Sequence, residues 1–128
     1  MGKSQPSLLV VDDELLIRDL LYDYFSGQGW SIAVAENGEK ALEILKNRRI
    51  DLVLTDIKMP EMDGLSLAAH IRDAYPTMPV VMMTGYPSVD TAVAALRQKV
   101  ADYIIKPFNV HQLFKTLDEK LNERVSAS

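Results

Sequence analysis

Strand-like and helix-like segments alternate five times along this chain, and few architectures accept that order. The apolar runs are SLLVV (7–11), SIAVA (31–35), DLVLT (51–55), PVVMMT (79–84) and DYIIK (102–106). They are rich in Val, Ile and Leu and mostly continuous rather than alternating, as in strands buried on both faces. Between them, apolar residues recur at helical spacing. Leu16, Leu20, Leu21 and Tyr24 mark the first helix, and Ala41, Leu42 and Leu45 the second. Leu65, Ala68, Ala69 and Ile71 mark the third, Val89, Ala92, Val93 and Leu96 the fourth, and Leu113, Phe114, Leu117 and Leu121 the fifth. Gly27 and Gly29 close the first helix, Asn37 and Asn109 cap the second and fifth, and Gly64 opens the third, with Pro76 and Pro79 bracketing the turn after it. The order predicts an α/β domain with a doubly wound, five-stranded parallel sheet covered by helices on both faces.

A chain of 128 residues makes one domain the expectation, with a core at about 7–123 and flexible ends at 1–6 and 124–128. The absence of cysteine excludes disulfides, thiolate chemistry and Cys-based zinc sites. His70 and His111 lie far apart and read as surface residues. A net charge of −4 gives a nucleic-acid surface no support. No apolar run is long enough to span a bilayer, and the polar opening MGKSQPS has no signal-peptide core, so a cytoplasmic protein is expected.

The polar residues gather at the strand ends. The first strand ends at Asp12 and Asp13, the third at Asp56, the fourth at Thr84 and the fifth at Lys106. The second ends at Ala35 and Glu36 before Asn37, with no comparable group. Ligands of an open parallel sheet bind beyond the carboxyl ends of its strands, at the topological switch point. Strand order 2-1-3-4-5 puts the chemically bare strand on an edge and the first and third strands at that switch. Three carboxylates converging there repel one another, and a hard divalent cation such as Mg²⁺ resolves the repulsion while favouring phosphate as a further ligand. Lys106 adds a point charge for a phosphoryl oxygen, and Thr84 adds a hydroxyl donor. Such a set suits phosphoryl transfer, with Asp56 as a nucleophile able to form an aspartyl-phosphate.

VVDDE (10–14), LVLTDIKMPEMDG (52–64), VVMMTGY (80–86) and DYIIKPF (102–108) resemble the receiver domain of two-component response regulators, of chemotaxis-regulator type. The similarity runs from about Leu8 to Glu123. It implies a (βα)5 flavodoxin-like domain that takes a phosphoryl group on Asp56 from a histidine kinase or histidine phosphotransfer protein. It further implies Mg²⁺ held by Asp12, Asp13, Asp56 and the backbone carbonyl of Lys58, with Lys106 and Thr84 binding the phosphoryl group. Tyr103 is then a switch residue that moves with Thr84 and reshapes the face of helix four, strand five and helix five. Lys106–Pro107 matches the family's cis peptide, and Lys58 and Tyr86 occupy the positions that tune phosphoryl lifetime. Expected partners are the kinase, a downstream protein or fused output domain, and a second copy in a phosphorylation-dependent homodimer, with no direct nucleic-acid or membrane binding. The domain is expected to catalyse only its own phosphorylation and slow dephosphorylation.

Other readings remain for single residues and for the whole. Asp13 suits a helix cap, Thr84 an ordinary strand position, Tyr103 plain core, and Met59, Met62, Met82 and Met83 packing. A Mg²⁺-dependent phosphohydrolase would place its nucleophile after the first strand, with a second Asp two residues on, where this chain has DDE. A flavin carrier would need a Ser/Thr/Gly-rich loop there, and DDELL is its electrostatic opposite. A docking module without phosphate chemistry would not need the complete site. One departure from the family stands out: its usual Gly-Ala after helix four is Lys99-Val100 here, and a left-handed Lys at a helix end costs roughly 1 kcal/mol.

Overall fold

The computed structural model describes residues 5–127, so the ends at 1–4 and at Ser128 lie outside the described residues. Five strands and five helices alternate: β1 (Ser7–Val11), α1 (Leu15–Gly27), β2 (Ser31–Ala35), α2 (Gly38–Asn47), β3 (Leu52–Asp56), α3 (Gly64–Ala74), β4 (Val80–Thr84), α4 (Val89–Arg97), β5 (Asp102–Ile105) and α5 (Val110–Ala127). The strands form one parallel sheet in the order β2-β1-β3-β4-β5. The Pro6 carbonyl accepts from the Ser31 amide at 2.8 Å, tying that end to the sheet, and α5 runs on to Ala127.

Alternate strand residues serve two cores, which is why the strand sequences are continuously apolar. Leu9, Val11, Val53, Val80 and Met82 face Ala41 and Leu45 of α2, Leu67 and Ile71 of α3, and Ala95 of α4. Leu8, Val10, Leu52, Leu54, Val81 and Met83 face Leu21 and Phe25 of α1 and Leu113 and Leu117 of α5. Full burial of each Val, Leu, Ile, Met or Phe side chain among them contributes about 1.5–3 kcal/mol.

Helical caps fall on the residues that punctuate the sequence. Asn37 accepts from the Lys40 amide, and Asn109 from the His111 and Gln112 amides. Asp63 caps α3 by accepting from Ser66. Two helices expose part of the apolar stripe that marks them in the sequence. Leu16 and Leu20 of α1 are exposed, and Leu21 and Phe25 make its buried face. In α4, Val89, Val93 and Leu96 are exposed and Ala95 alone is buried. Both histidines are exposed; His111 pairs with the Tyr24 hydroxyl and His70 with the Ser66 carbonyl.

Candidate functional site

Register brings the polar strand ends level. Val11 pairs with Thr55, so Asp12 lies beside Asp56; Asp56 pairs with Met83 and Thr84 with Ile105, so Thr84 and Lys106 follow along the same edge. Asp12, Asp56 and Thr84 are buried, whereas Asp13 is exposed. A carboxylate oxygen from each of Asp12, Asp13 and Asp56 lies within 4.8 Å of the others. This set of hard oxygen donors, two of them buried, fits a divalent cation of the Mg²⁺ type, which takes a few carboxylates and keeps waters.

Lys106 reaches into this cluster from the far side of the sheet. Its Nζ donates to Asp12 Oδ2 at 2.8 Å, to Asp56 Oδ2 at 3.2 Å and to Glu14 Oε1 at 3.2 Å. Burial pushes the Asp12 carboxyl up, against the Lys106 hydrogen bond that favours its charged form. Burial likewise raises Asp56, reinforced by the neighbouring Asp12 charge and opposed by Lys106. Burial pulls the Lys106 ammonium down, but its bonds and charge pairing with Asp12 and Asp56 outweigh this and hold it above the ordinary lysine range. The Lys106–Pro107 peptide is cis.

Local sequence explains how Asp56 is presented. Residue 64 must be glycine because a Cβ there would lie 2.2 Å from the Asp56 carbonyl oxygen and 2.9 Å from Ile57 Cα. The Gly64 amide donates to the Ile57 carbonyl at 2.7 Å, so α3 begins hard against the backbone that carries Asp56. Glu61 turns the intervening loop with φ 67°. Beside this loop is a cleft of about 520 Å³ lined by Asp13, Ile57, Lys58, Met59, Asp63 and Thr91 among others.

The surrounding residues divide into those near the carboxylates and those one step away. The Thr84 hydroxyl accepts from the Tyr86 amide at 3.0 Å, which leaves its proton for another acceptor. Tyr86 is exposed, with the Lys58 ammonium 5.1 Å from its ring centre, a cation–π contact at the rim. Tyr103 is half-buried, and its hydroxyl bonds Thr91 of α4 at 2.8 Å. Asp13 does not cap α1: Glu14 holds the N-cap position without a side-chain cap bond, and Asp12 Oδ1 accepts from the Glu14 amide at 2.8 Å.

Three contributors escape a reading of the sequence. Arg18 donates to the Asp12 carbonyl at 2.7 Å and fixes the turn into α1. Thr91 holds Tyr103, although its place in a capping box with Ser88 gives no hint of this. Glu14 is the third partner of Lys106, and the third acid in DDE was the available signal.

The chain is similar to known proteins in both sequence and fold. The sequence matches the family described as "Response regulator receiver domain" over residues 8–118. It is 43% identical to the transcriptional regulatory protein ZraR of Klebsiella oxytoca across 100% of this chain, which spans only 29% of that regulator's length. Among solved structures it superposes on a CheY-like response regulator receiver domain protein of Methanospirillum hungatei with TM-score 0.94 and 31% identity, covering 98% of this chain and 100% of that one. The beryllofluoride-activated NtrC4 receiver domain dimer is similar with TM-score 0.86 and 30% identity, covering 92% and 98%.

Proposed function

Because the chain belongs to the response regulator receiver domain family of two-component signalling, we propose that Asp56 is its phosphoacceptor. The observation that carries this is the convergence on Asp56 of Asp12, Asp13 and Lys106 at the carboxyl edge of the sheet. The donor is the phosphohistidine of a histidine kinase or phosphotransfer protein. An Asp56 carboxylate oxygen attacks phosphorus, the P–N bond breaks, and the imidazole nitrogen leaves with the electron pair and is reprotonated from solvent. Lys106 binds a phosphoryl oxygen, and the Thr84 hydroxyl donates its free proton to another. Asp12, Asp13, Asp56 and the Lys58 carbonyl hold Mg²⁺, which when bound supplies charge neutralisation between the carboxylate and the incoming group.

Thr84 turning toward the phosphoryl group draws Tyr103 from Thr91 and alters the α4–β5–α5 face. That face exposes Val89, Val93, Leu96 and Ile105, apolar surface suited to an output domain or a second copy of the chain. Lys58 and Tyr86 at the rim set the lifetime of the adduct. We place the protein in the cytoplasm with the receiver domains of its family; among the described residues no helix is long and apolar enough to cross a membrane.

The test is intact mass after incubation with Mg²⁺ and acetyl phosphate, with Asp56→Asn alongside. One base-labile phosphate on the parent, missing from Asp56→Asn and missing without Mg²⁺, is expected. A phosphate that persists in the variant would remove Asp56 from the role.

A further inference from the structure

Lys106 has three N–H donors, and all three are engaged: by Asp12, by Asp56 and by Glu14. A phosphoryl oxygen arriving on Asp56 must therefore take a donor from one of them. Their environments differ sharply. The Asp12 side chain is fully buried and that of Asp56 9% exposed, so while Asp56 is still a free carboxylate neither can exchange its bond from Lys106 for water. The Glu14 side chain is 61% exposed and is rehydrated at once on release. Glu14 is thus the partner that yields.

Its position shows that this carboxylate does no other local work. Glu14 stands at the N-cap of α1, where a short polar side chain would bond the first-turn amides, yet it makes no cap bond and reaches Lys106 instead. Its backbone amide, not its side chain, is what ties it to Asp12.

We propose that Glu14 is a positioning residue that occupies the third donor of Lys106 and acts as a charge gate, slowing phosphoryl transfer from small anionic donors. The inference rests on Asp56 being the phosphoacceptor. A dianionic donor in free solution meets the Glu14 charge at the mouth and must displace it from Lys106. The barrier is modest, because an exposed ion pair is weak, and it is sensitive to salt.

The experiment measures the initial rate of adduct formation from acetyl phosphate, by intact mass at saturating Mg²⁺, for the parent, Glu14→Gln and Glu14→Asp. Gln keeps the size and hydrogen-bonding oxygen without the charge, and Asp keeps the charge. Glu14→Gln is expected to react about two- to five-fold faster at low salt. That gain should vanish near ~1 M salt, where the screening length is about 3 Å, and Glu14→Asp should stay close to the parent. No gain in Glu14→Gln, a gain that survives high salt, or a Glu14→Asp variant as fast as Glu14→Gln would each overturn the gate. An adduct missing even from the parent strikes the phosphoacceptor reading, whereas a parent adduct with no difference among variants strikes Glu14 alone.

Discussion

Replacing Lys99 by glycine should leave this domain more stable than replacing it by alanine, and the end of α4 says by how much. The Lys99 amide bonds the Leu96 carbonyl at 2.9 Å and the Val100 amide bonds the Ala95 carbonyl at 3.3 Å, the paired bonds of a Schellman turn. The left-handed residue of that turn is Lys99, at φ 59°. An L-residue there costs about 1–2 kcal/mol through its Cβ. Glycine escapes that cost but gives back about 0.4–1 kcal/mol through greater freedom in the unfolded chain. Lys99 is exposed and makes no ion pair among the described residues, but its charge favours the helix C-terminus by about 0.3–1 kcal/mol. Lys99→Ala removes the same charge and keeps the Cβ, so it is the proper reference. Lys99→Gly should exceed Lys99→Ala by about 0.5–1 kcal/mol, or about 2–5 °C in Tm. Urea melts followed through Trp30, the single tryptophan and 7% exposed, would measure this, with the denaturant slope unchanged. Equal stability of the two variants would limit the Cβ strain to the roughly 0.4–1 kcal/mol that glycine gives back, below the cost assigned to the turn.

Three further outcomes follow from the site. Asp12 and Asp56 hold their protons to higher pH folded than unfolded, so their contribution is complete below the ordinary 3.8 and is lost as pH rises through their raised folded values. Metal-free melts should show this fall, Asp56→Asn should flatten it, and Mg²⁺ at 100 times its Kd should restore about 2.7 kcal/mol to the parent at neutral pH; an equal slope in the variant, or equal Mg²⁺ stabilisation, would contradict the reading. Gly64→Ala should cost about 1–3 kcal/mol and slow phosphorylation of Asp56, because the new Cβ meets backbone rather than a movable side chain; a fully stable, normally reactive variant would mean that α3 can retreat freely. Tyr86→Ala removes the ring that Lys58 covers and should speed phosphate loss from the adduct, read by decay of the phosphorylated mass; an unchanged lifetime would take Tyr86 out of that role.

Most of the sheet was legible because strands buried on both faces leave a continuous apolar record that little else produces. Asp56, Thr84 and Lys106 were legible for a related reason: a charged or hydroxyl residue that ends such a run stands at the sheet's carboxyl edge, whatever the helices do. Glu14 left only the third acid of DDE as a local mark, because its contact depends on the reach of a lysine 92 positions along the chain. Asp13 illustrates the same limit at short range. Its residue type suits a cap, but the turn into α1 gives the N-cap to Glu14 and leaves the Asp13 carboxylate clustered with those of Asp12 and Asp56.

Both α1 and α4 form where the spacing predicts, but each exposes part of its apolar stripe, for a different physical reason. In α1, Leu16 and Leu20 form one stripe at i, i+4 and Ile17, Leu21 and Phe25 form another one residue round, so periodicity establishes a helix but cannot choose its buried side. The aromatic contacts of Phe25 with Trp30 and Phe114, at 5.1 and 5.5 Å, make that choice in three dimensions. In α4 the periodicity of Val89, Val93 and Leu96 is real, but the sheet meets the opposite side through Ala95, a residue small enough to let the helix sit close. An apolar stripe marks surface that water disfavours without saying which molecule is to cover it. Here the stripe lies on the helix that holds Tyr103 through Thr91, so whatever covers it binds an element directly coupled to the residue expected to move. If Tyr103 moves as proposed, partner binding and phosphorylation would act on the same α4, and a ligand for the stripe that prefers one setting of Tyr103 would shift the phosphorylation equilibrium by the same factor as phosphorylation shifts its own affinity.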